Sequence, residues 1–479
     1  MKHTTVDIEV PSPLLPDFDA RAATDDVLTH ALTDALRRVA DGPVSPVPDL
    51  DRFQAILDGF DFAEPRPLSD LLPWVIGVLE GGMVHPTHPR YFGLFNPAPA
   101  FAAECAERIV AAFNPQLASA TTSPVPVALE GHVMRAIVQR AGLPAGSKGH
   151  FTSGGSEANH TALVCALTRV APAFATLGVR GFSGPPLVYV SEDAHLAWYK
   201  IAHETGIGRS ALRLIPTDCA GRLDTDALAA QIAADRAAGG IPVLVVATAG
   251  TTGAGIIDPI AACGRIARAA GAWFHVDAAW GGALLAVERL RGVLAGIETA
   301  DSVTIDAHKW FAATMGCGMF LTAHPAILSD AFFADTVYMP SKARHVDPYL
   351  NTMQWSRRFM GLRLFLALAS VGWDGYAAHV ERALALAAHL RQALTARGWR
   401  VVNDSPVGVL CVDPPDGLPD AREIARRVVA SQSAWISSTS FRGRYVLRMC
   451  ITNGRTTLGD IATLVNALQE LRQPVGVLV

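Results

Sequence analysis

The chain has 479 residues, half of them apolar and 18% charged, with 41 glycines and 31 prolines spread throughout. That excludes disorder and fibrous repeats, and the length allows two to four compact units at roughly 100 to 200 residues each. Its 40 basic and 44 acidic side chains leave a net charge of −4 with no basic run, which argues against nucleic acid or an acidic membrane surface as a partner.

From residue 1 to about residue 88 the sequence is proline-rich and interrupted, and predicts an arm with short helices at Thr24 to Ala40 and Leu68 to Glu80. Its first residues carry Asp7, Glu9 and three prolines instead of a basic and then an apolar stretch, so no secretory signal is expected. A different rhythm runs to about residue 372. Short β-branched runs at Leu187–Val190, Leu212–Ile215, Val243–Val246, Trp273–Val276, Ser302–Ile305 and Gly318–Leu321 alternate with alanine-rich helical stretches. Such alternation predicts an α/β unit around a largely parallel, buried sheet. Beyond Trp373 come a helix at Tyr376 to Ala396 and strand-like runs at Trp399–Val402, Val407–Val412, Ala434–Ser437 and Tyr445–Cys450, which predict a smaller α+β domain over residues 373–479.

Mean hydropathy is +0.26, yet the apolar stretches fall far short of the roughly 20 residues a membrane span needs. The excess is mostly alanine. Seven widely spaced cysteines without a CxxC pair predict reduced thiols and a cytoplasmic setting, and suggest no metal cluster.

Four polar clusters interrupt the apolar rhythm. Ser302-Val-Thr-Ile-Asp306-Ala-His308-Lys309 runs an apolar strand into a lysine beside a histidine, a setting in which a partly desolvated amine can form a Schiff base. Thirty-two positions earlier (309 − 277), Trp273-Phe-His-Val-Asp277-Ala-Ala279 ends another strand on an acid. Carboxyl ends of strands in an open α/β sheet are where ligands bind, so one ligand could meet both, although Asp277 could equally cap a local turn. Thr152-Ser153-Gly154-Gly155-Ser156 leads into the helical stretch His160–Val170, and a glycine turn at a helix start can cradle a phosphate. Ser191-Glu-Asp-Ala-His195 places a histidine just beyond a strand. Other glycine patterns fail: Gly142 to Lys148 misses the Walker spacing, Gly154 to Ala158 lacks the second glycine of a nucleophile elbow, and Gly206 to Ala211 precedes a strand instead of following one.

Together these clusters resemble the pyridoxal-phosphate-dependent amino acid decarboxylases that act on aromatic amino acids, glutamate, histidine and cysteine sulfinate. The resemblance runs from His88-Pro-Arg-Tyr-Phe-Gly93 to Arg448 and implies the aspartate-aminotransferase-like fold, known as fold type I. It further implies an arm, a large cofactor-binding domain over 89–372, a small C-terminal domain, and a homodimer with active sites at the interface. By the same resemblance Lys309 binds the pyridoxal 5'-phosphate aldehyde, Asp277 pairs with the pyridine nitrogen, and His195 stacks on the ring with Ala279 on its other face. Gly154, Gly155 and Ser156 would hold the phosphate with Asp306 and His308, and Thr248 would lie near the ring hydroxyl. Tyr338, in Phe332-Phe-Ala-Asp-Thr-Val-Tyr338-Met-Pro340, matches the tyrosine of the family's catalytic loop that protonates Cα, and it favours simple decarboxylation over aldehyde synthesis. Arg448 matches a retained arginine, or serves as an ion-pair residue.

Three departures fall on this pattern. Asp306-Ala307 replaces Asn-Pro, Asn96-Pro97 replaces Pro-Thr, and Ala120 replaces a pocket tryptophan of the aromatic branch. The expected reaction is decarboxylation of an L-amino acid, aromatic ahead of acidic or diamino. An aldehyde synthase, a carbon–carbon lyase, an aminotransferase or a non-catalytic homologue are the competing readings.

Overall fold

The computed structural model describes residues 14–339 and 346–471. Residues 1–13 of the predicted arm, residues 472–479 of the predicted C-terminal domain and Pro340 of the tyrosine motif lie outside that description. Seven strands form the central sheet: β1 (Lys148–Thr152), β2 (Pro186–Ser191), β3 (Leu212–Ile215), β4 (Ile241–Thr248), β5 (Trp273–Asp277), β6 (Ser302–Asp306) and β7 (Gly318–Thr322). Their order is β1-β7-β6-β5-β4-β2-β3. The five strands from β6 to β3 run parallel, whereas β7 is antiparallel to both β6 and β1.

Every strand predicted in this region is present. β4, β5 and β6 are buried along nearly their whole length, as expected of strands covered by helices on both faces. β1 was not anticipated, because Lys-Gly-His-Phe-Thr carries no β-branched run. It is held as an edge by its register with β7, where a Cβ on Gly149 would lie 2.5 Å from the Phe320 carbonyl oxygen. The helix Gly155–Val170 packs its small residues Ala158, Ala162 and Ala166, all fully buried, against one sheet face.

A second sheet, antiparallel, contains β8 (Arg400–Val401), β9 (Val409–Asp413), β10 (Ser437–Phe441) and β11 (Arg444–Cys450) in the order β10-β11-β9-β8. The run Ala434–Ser437 is mostly the approach to β10 and not the strand itself. The preceding helix is longer than its alanine-rich half suggested, Gly361–Thr395, and it breaks at Gly372, whose φ of 66° is open to glycine at little cost. Tyr376 on its second half donates to the Phe311 carbonyl at 3.0 Å. Trp280 donates to the Val407 carbonyl at 3.0 Å and Asn403 to the Ala254 carbonyl at 2.7 Å, fastening the small sheet to the loops beyond β4 and β5.

At the N-terminal side lie the helices Phe18–Asp41, Leu50–Asp58 and Leu68–Gly82. They bury little within one chain: Ala35 and Ile76 are buried, while Phe18, Val27, Val75 and Leu79 stay exposed. Among the described residues no single helix is both long and apolar enough to cross a membrane.

Candidate active site

The register of the parallel strands sets the site. Thr248 at the end of β4 pairs with Asp277 at the end of β5, and Asp277 pairs with Thr304, two residues before the end of β6. The polar residues that each run carries past its apolar stretch therefore emerge along one edge of the sheet. A cavity of about 320 Å³ opens there, and all ten residues assigned to the cofactor from sequence line it.

Lys309 reaches the cavity on the turn that follows β6, its backbone N–H donating to the Asp306 carbonyl at 3.2 Å. Its Nζ lies 3.0 Å from Asp306 Oδ2, and His308 Nε2 lies 3.8 Å from the same oxygen. Asp306 is 3% exposed, and its other oxygen, Oδ1, has no hydrogen-bond partner. Gly154 and Gly155 start the helix Gly155–Val170, with Ser156 in its first turn. A Cβ on Gly155 would stand 2.8 Å from Asp306 Oδ2, so glycine is needed for the helix start to approach this carboxylate.

Asp277 accepts from Asn159 Nδ2 at 2.8 Å and from the Ala279 backbone N–H at 3.2 Å. Ala279 is held in turn by Asp306, whose N–H donates to its carbonyl at 3.1 Å. Thr248 is fixed through its backbone N–H, which donates to Asp258 Oδ2 at 2.7 Å, while its hydroxyl oxygen is buried without a partner on the cavity wall. His195 accepts from the Ala197 N–H at Nδ1 (3.2 Å), so a neutral ring carries its proton on Nε2.

Tyr338 is the exception. It is 72% exposed, stacks on Trp355 at 6.0 Å and does not line this chain's cavity. Among the described residues Arg448 meets backbone carbonyls and a ring, not a carboxylate. Its Nε donates to the Thr252 carbonyl at 2.8 Å and Nη1 to the Gly93 carbonyl at 2.7 Å, and the guanidinium lies 4.7 Å from the Phe95 ring centroid. Its remaining nitrogen, Nη2, is buried without a hydrogen-bond partner.

Seven lining residues were not assigned from the sequence: Ser153, Gly250, Thr252 and Trp280, and the three that matter most to the geometry, Phe95, Glu157 and Asn159. Phe95 is the outer member of a stack with Trp280 (4.1 Å) and Trp310 (4.6 Å), each pair contributing about 0.5 to 1.5 kcal/mol beyond its buried area. Glu157 and Asn159 project from the helix behind the glycine turn. Glu157 accepts from the Ser153 N–H at 2.7 Å and from Gln354 Nε2 at 2.8 Å. Only the aromatic spacing Trp280…Trp310 hinted at the stack, and no local pattern distinguishes Asn159 from any helical asparagine.

These residues suit pyridoxal phosphate. An amine, a carboxylate with acceptor capacity left, an unpartnered threonine hydroxyl and a glycine-lined helix start surround one cavity. The comparisons agree with that chemistry. Residues 62–412 match the pyridoxal-dependent decarboxylase conserved domain. The L-2,4-diaminobutyrate decarboxylase of Rhizobium meliloti strain 1021 is 32% identical over 413 residues, 82% of this chain and 79% of that protein. The tyrosine decarboxylase of Oryza sativa subsp. japonica is 30% identical over 491 residues, 95% of this chain and 91% of that one. The crystal structure of mouse CSAD superposes with a TM-score of 0.89 at 25% identity, covering 96% of this chain and all of the other. The chain therefore belongs to the pyridoxal-dependent decarboxylase family. It has the family's fold and is a pyridoxal-phosphate-dependent amino acid decarboxylase.

Proposed function

We propose that the chain decarboxylates an aromatic L-amino acid to its amine. The observation that carries this preference is Phe95, a flat apolar ring on the cavity wall backed by Trp280 and Trp310. A diamino acid is the second reading. Glu157 and Asp306 put two carboxylates on the same wall, where a second ammonium could be held, and a diaminobutyrate decarboxylase is among the relatives.

In this reading Lys309 holds the cofactor through its amine, and the N–H groups at Gly154 and Gly155 with the Ser156 hydroxyl hold its phosphate. Asp277 would face the ring nitrogen, His195 and Ala279 would flank the ring, and the Thr248 hydroxyl would be the group on the side of the ring's oxygen. The bound cofactor supplies an electron sink for the pair left at Cα when carbon dioxide departs. Asp306 lies 3.0 Å from the Lys309 amine and would hold it as an ammonium when it is free, and His308, 3.8 Å from the same carboxylate, would stand with Asp306 on the phosphate side. Arg448 does not line the cavity and would act through Phe95, its guanidinium 4.7 Å from that ring while Nε and Nη1 hold the Thr252 and Gly93 carbonyls.

Tyr338 delivers the proton to Cα in this scheme, and its position outside its own chain's cavity supports a homodimer in which each cavity takes the tyrosine of the other copy. The apolar exposure of the N-terminal helices and of Phe101, Ile109 and Phe113 supports the same assembly. Mixing Lys309→Ala with Tyr338→Phe chains tests it: regained activity is expected, and none would refute the exchange.

The substrate is tested by a decarboxylation screen over the standard amino acids, ornithine, 2,4-diaminobutyrate and cysteine sulfinate. Carbon dioxide, amine and hydrogen peroxide are followed in the same samples. Tyrosine, tryptophan or phenylalanine is expected to give the highest kcat/KM, with amine as product and no peroxide. A charged substrate at the top would refute the aromatic preference, and peroxide in step with carbon dioxide would point to aldehyde synthesis.

A further inference from the structure

From the cavity-lining Asn159 beside Asp277, a row of buried polar side chains that the decarboxylation scheme does not use runs into the interior. Trp273, His275 and Asp277 alternate along β5 and so share one face of the strand. Ser302, at the start of β6, is the register partner of His275. Asn159 hangs over the same face from the helix Gly155–Val170. All four neighbours of Asp277 are at most 3% exposed, so each must find its hydrogen-bond partners within the protein.

The contacts form one continuous row. Trp273 Nε1 is 2.7 Å from Ser302 Oγ, and Ser302 Oγ is 2.8 Å from His275 Nδ1. His275 Nε2 is 3.0 Å from Asn159 Oδ1, and Asn159 Nδ2 is 2.8 Å from Asp277 Oδ2. The chemistry of the two ends fixes the direction of every link. An indole nitrogen can only donate, so Ser302 accepts from Trp273. A carboxylate can only accept, so Asn159 turns its amide N–H to Asp277 and its carbonyl oxygen to His275 Nε2, which must donate, and the neutral ring accepts at Nδ1 from the Ser302 hydroxyl. With Nδ1 accepting, a neutral imidazole carries its proton on Nε2 and donates to the Asn159 carbonyl oxygen, with Thr304 Oγ1 as a second contact at 3.3 Å. Asn159 is then left with only its amide N–H groups to present to Asp277. Burial keeps His275 in the neutral form this requires, pushing its pKa from 6.5 down to about 4 against the pull of Asp277.

We propose that Asn159, His275 and Ser302 are positioning residues for the cofactor: a one-way relay of hydrogen bonds beginning at Trp273 pins the Asn159 amide so that it always donates to Asp277. One carboxylate oxygen is thereby occupied by Asn159 and the other by the Ala279 N–H, which fixes the plane of the group. Asp277 stands ready to pair with a protonated ring nitrogen without first having to reorient. The inference rests on the reading of Asp277 as the partner of that nitrogen.

The relay is tested by measuring the affinity of apoprotein for pyridoxal phosphate, the pH midpoint of the bound cofactor's visible absorption band, and thermal stability. Wild type, Asn159→Asp, Ser302→Ala and Ser302→Thr are compared. Asn159→Asp keeps the shape but sets an acid against an acid, so one of the two retains a proton. Losing a charge-assisted hydrogen bond in this way is expected to weaken cofactor binding by about 10- to 100-fold and to move the pH midpoint. Ser302→Ala, two links away from Asp277, should move both in the same direction by a smaller factor, and Ser302→Thr, which keeps the hydroxyl, should recover them. If Asn159→Asp does not fold, the Ser302 pair decides alone. Affinity and midpoint that stay at wild-type values in Ser302→Ala, with or without a loss of thermal stability, would overturn the relay. A wild-type protein that binds no pyridoxal phosphate would instead overturn the reading beneath it.

Discussion

The neutral state of His275 makes a prediction that can be weighed numerically. Its imidazole is held at about 4, against 6.5 for an unhindered histidine, chiefly by burial. Between those values the unfolded chain carries a proton on this ring that the folded chain refuses, so stability falls as pH falls through this window. From about pH 7 to about pH 5 the two values imply a loss of about 2 kcal/mol from this one side chain. His275→Gln removes the titrating group. Whatever stability the variant starts from, its decline over the same interval should be shallower than that of the wild type by about 2 kcal/mol. Urea titration of both proteins at saturating cofactor, at several pH values down to about pH 5, gives the two slopes; the interval is chosen above the range where most carboxylates titrate. Parallel slopes for wild type and variant would mean that His275 is not buried as a neutral ring, and the hydrogen-bond directions derived from it would fail with it.

Two further predictions concern the framework. Arg357 Nη2 pairs with Glu130 Oε2 at 3.2 Å, both side chains are buried, and Glu130 Oε1 also accepts from the N–H of Gly361 at the start of the long helix. Arg357→Met strands that carboxylate and should cost about 3 to 5 kcal/mol, read as a lower urea midpoint; a change below 1 kcal/mol would refute the pairing's importance. Gly155→Ala places a methyl 2.8 Å from Asp306 Oδ2, at the junction of the helix start and the Lys309 turn. Cofactor affinity should fall by about tenfold while the urea midpoint of the apoprotein moves little, and unchanged affinity would show that the glycine is not needed there.

Much of the central sheet was legible because its strands are apolar runs punctuated by helical stretches, and period and burial point the same way for β2 to β7. β1 was not, since an edge strand held by register and a close backbone approach at Gly149 needs no β-branched signature. The long helix was half legible: its alanine-rich second half showed, and its first half, which ends at the break at Gly372, did not. The cavity could be read because three of its four polar clusters follow directly on an apolar strand, and the fourth, the glycine turn, opens a helix. What could not be read is the layer behind it. Asn159 and His275 are separated by more than a hundred residues, and only the crossing of the helix over β5 makes them neighbours. The alternation of Trp273, His275 and Asp277 on a buried face was the one local hint. Tyr338 is a case of a different kind, since no reading of a single chain brings it to the cavity.

The account turns on Lys309 as the amine that binds pyridoxal phosphate. Borohydride reduction of the purified holoenzyme, followed by proteolysis and mass spectrometry, tests this directly. The reduced cofactor is expected on the peptide containing Lys309 and on no other, with Lys309→Ala giving neither that adduct nor carbon dioxide from any amino acid. An adduct on a different lysine, or turnover that survives Lys309→Ala, would contradict it.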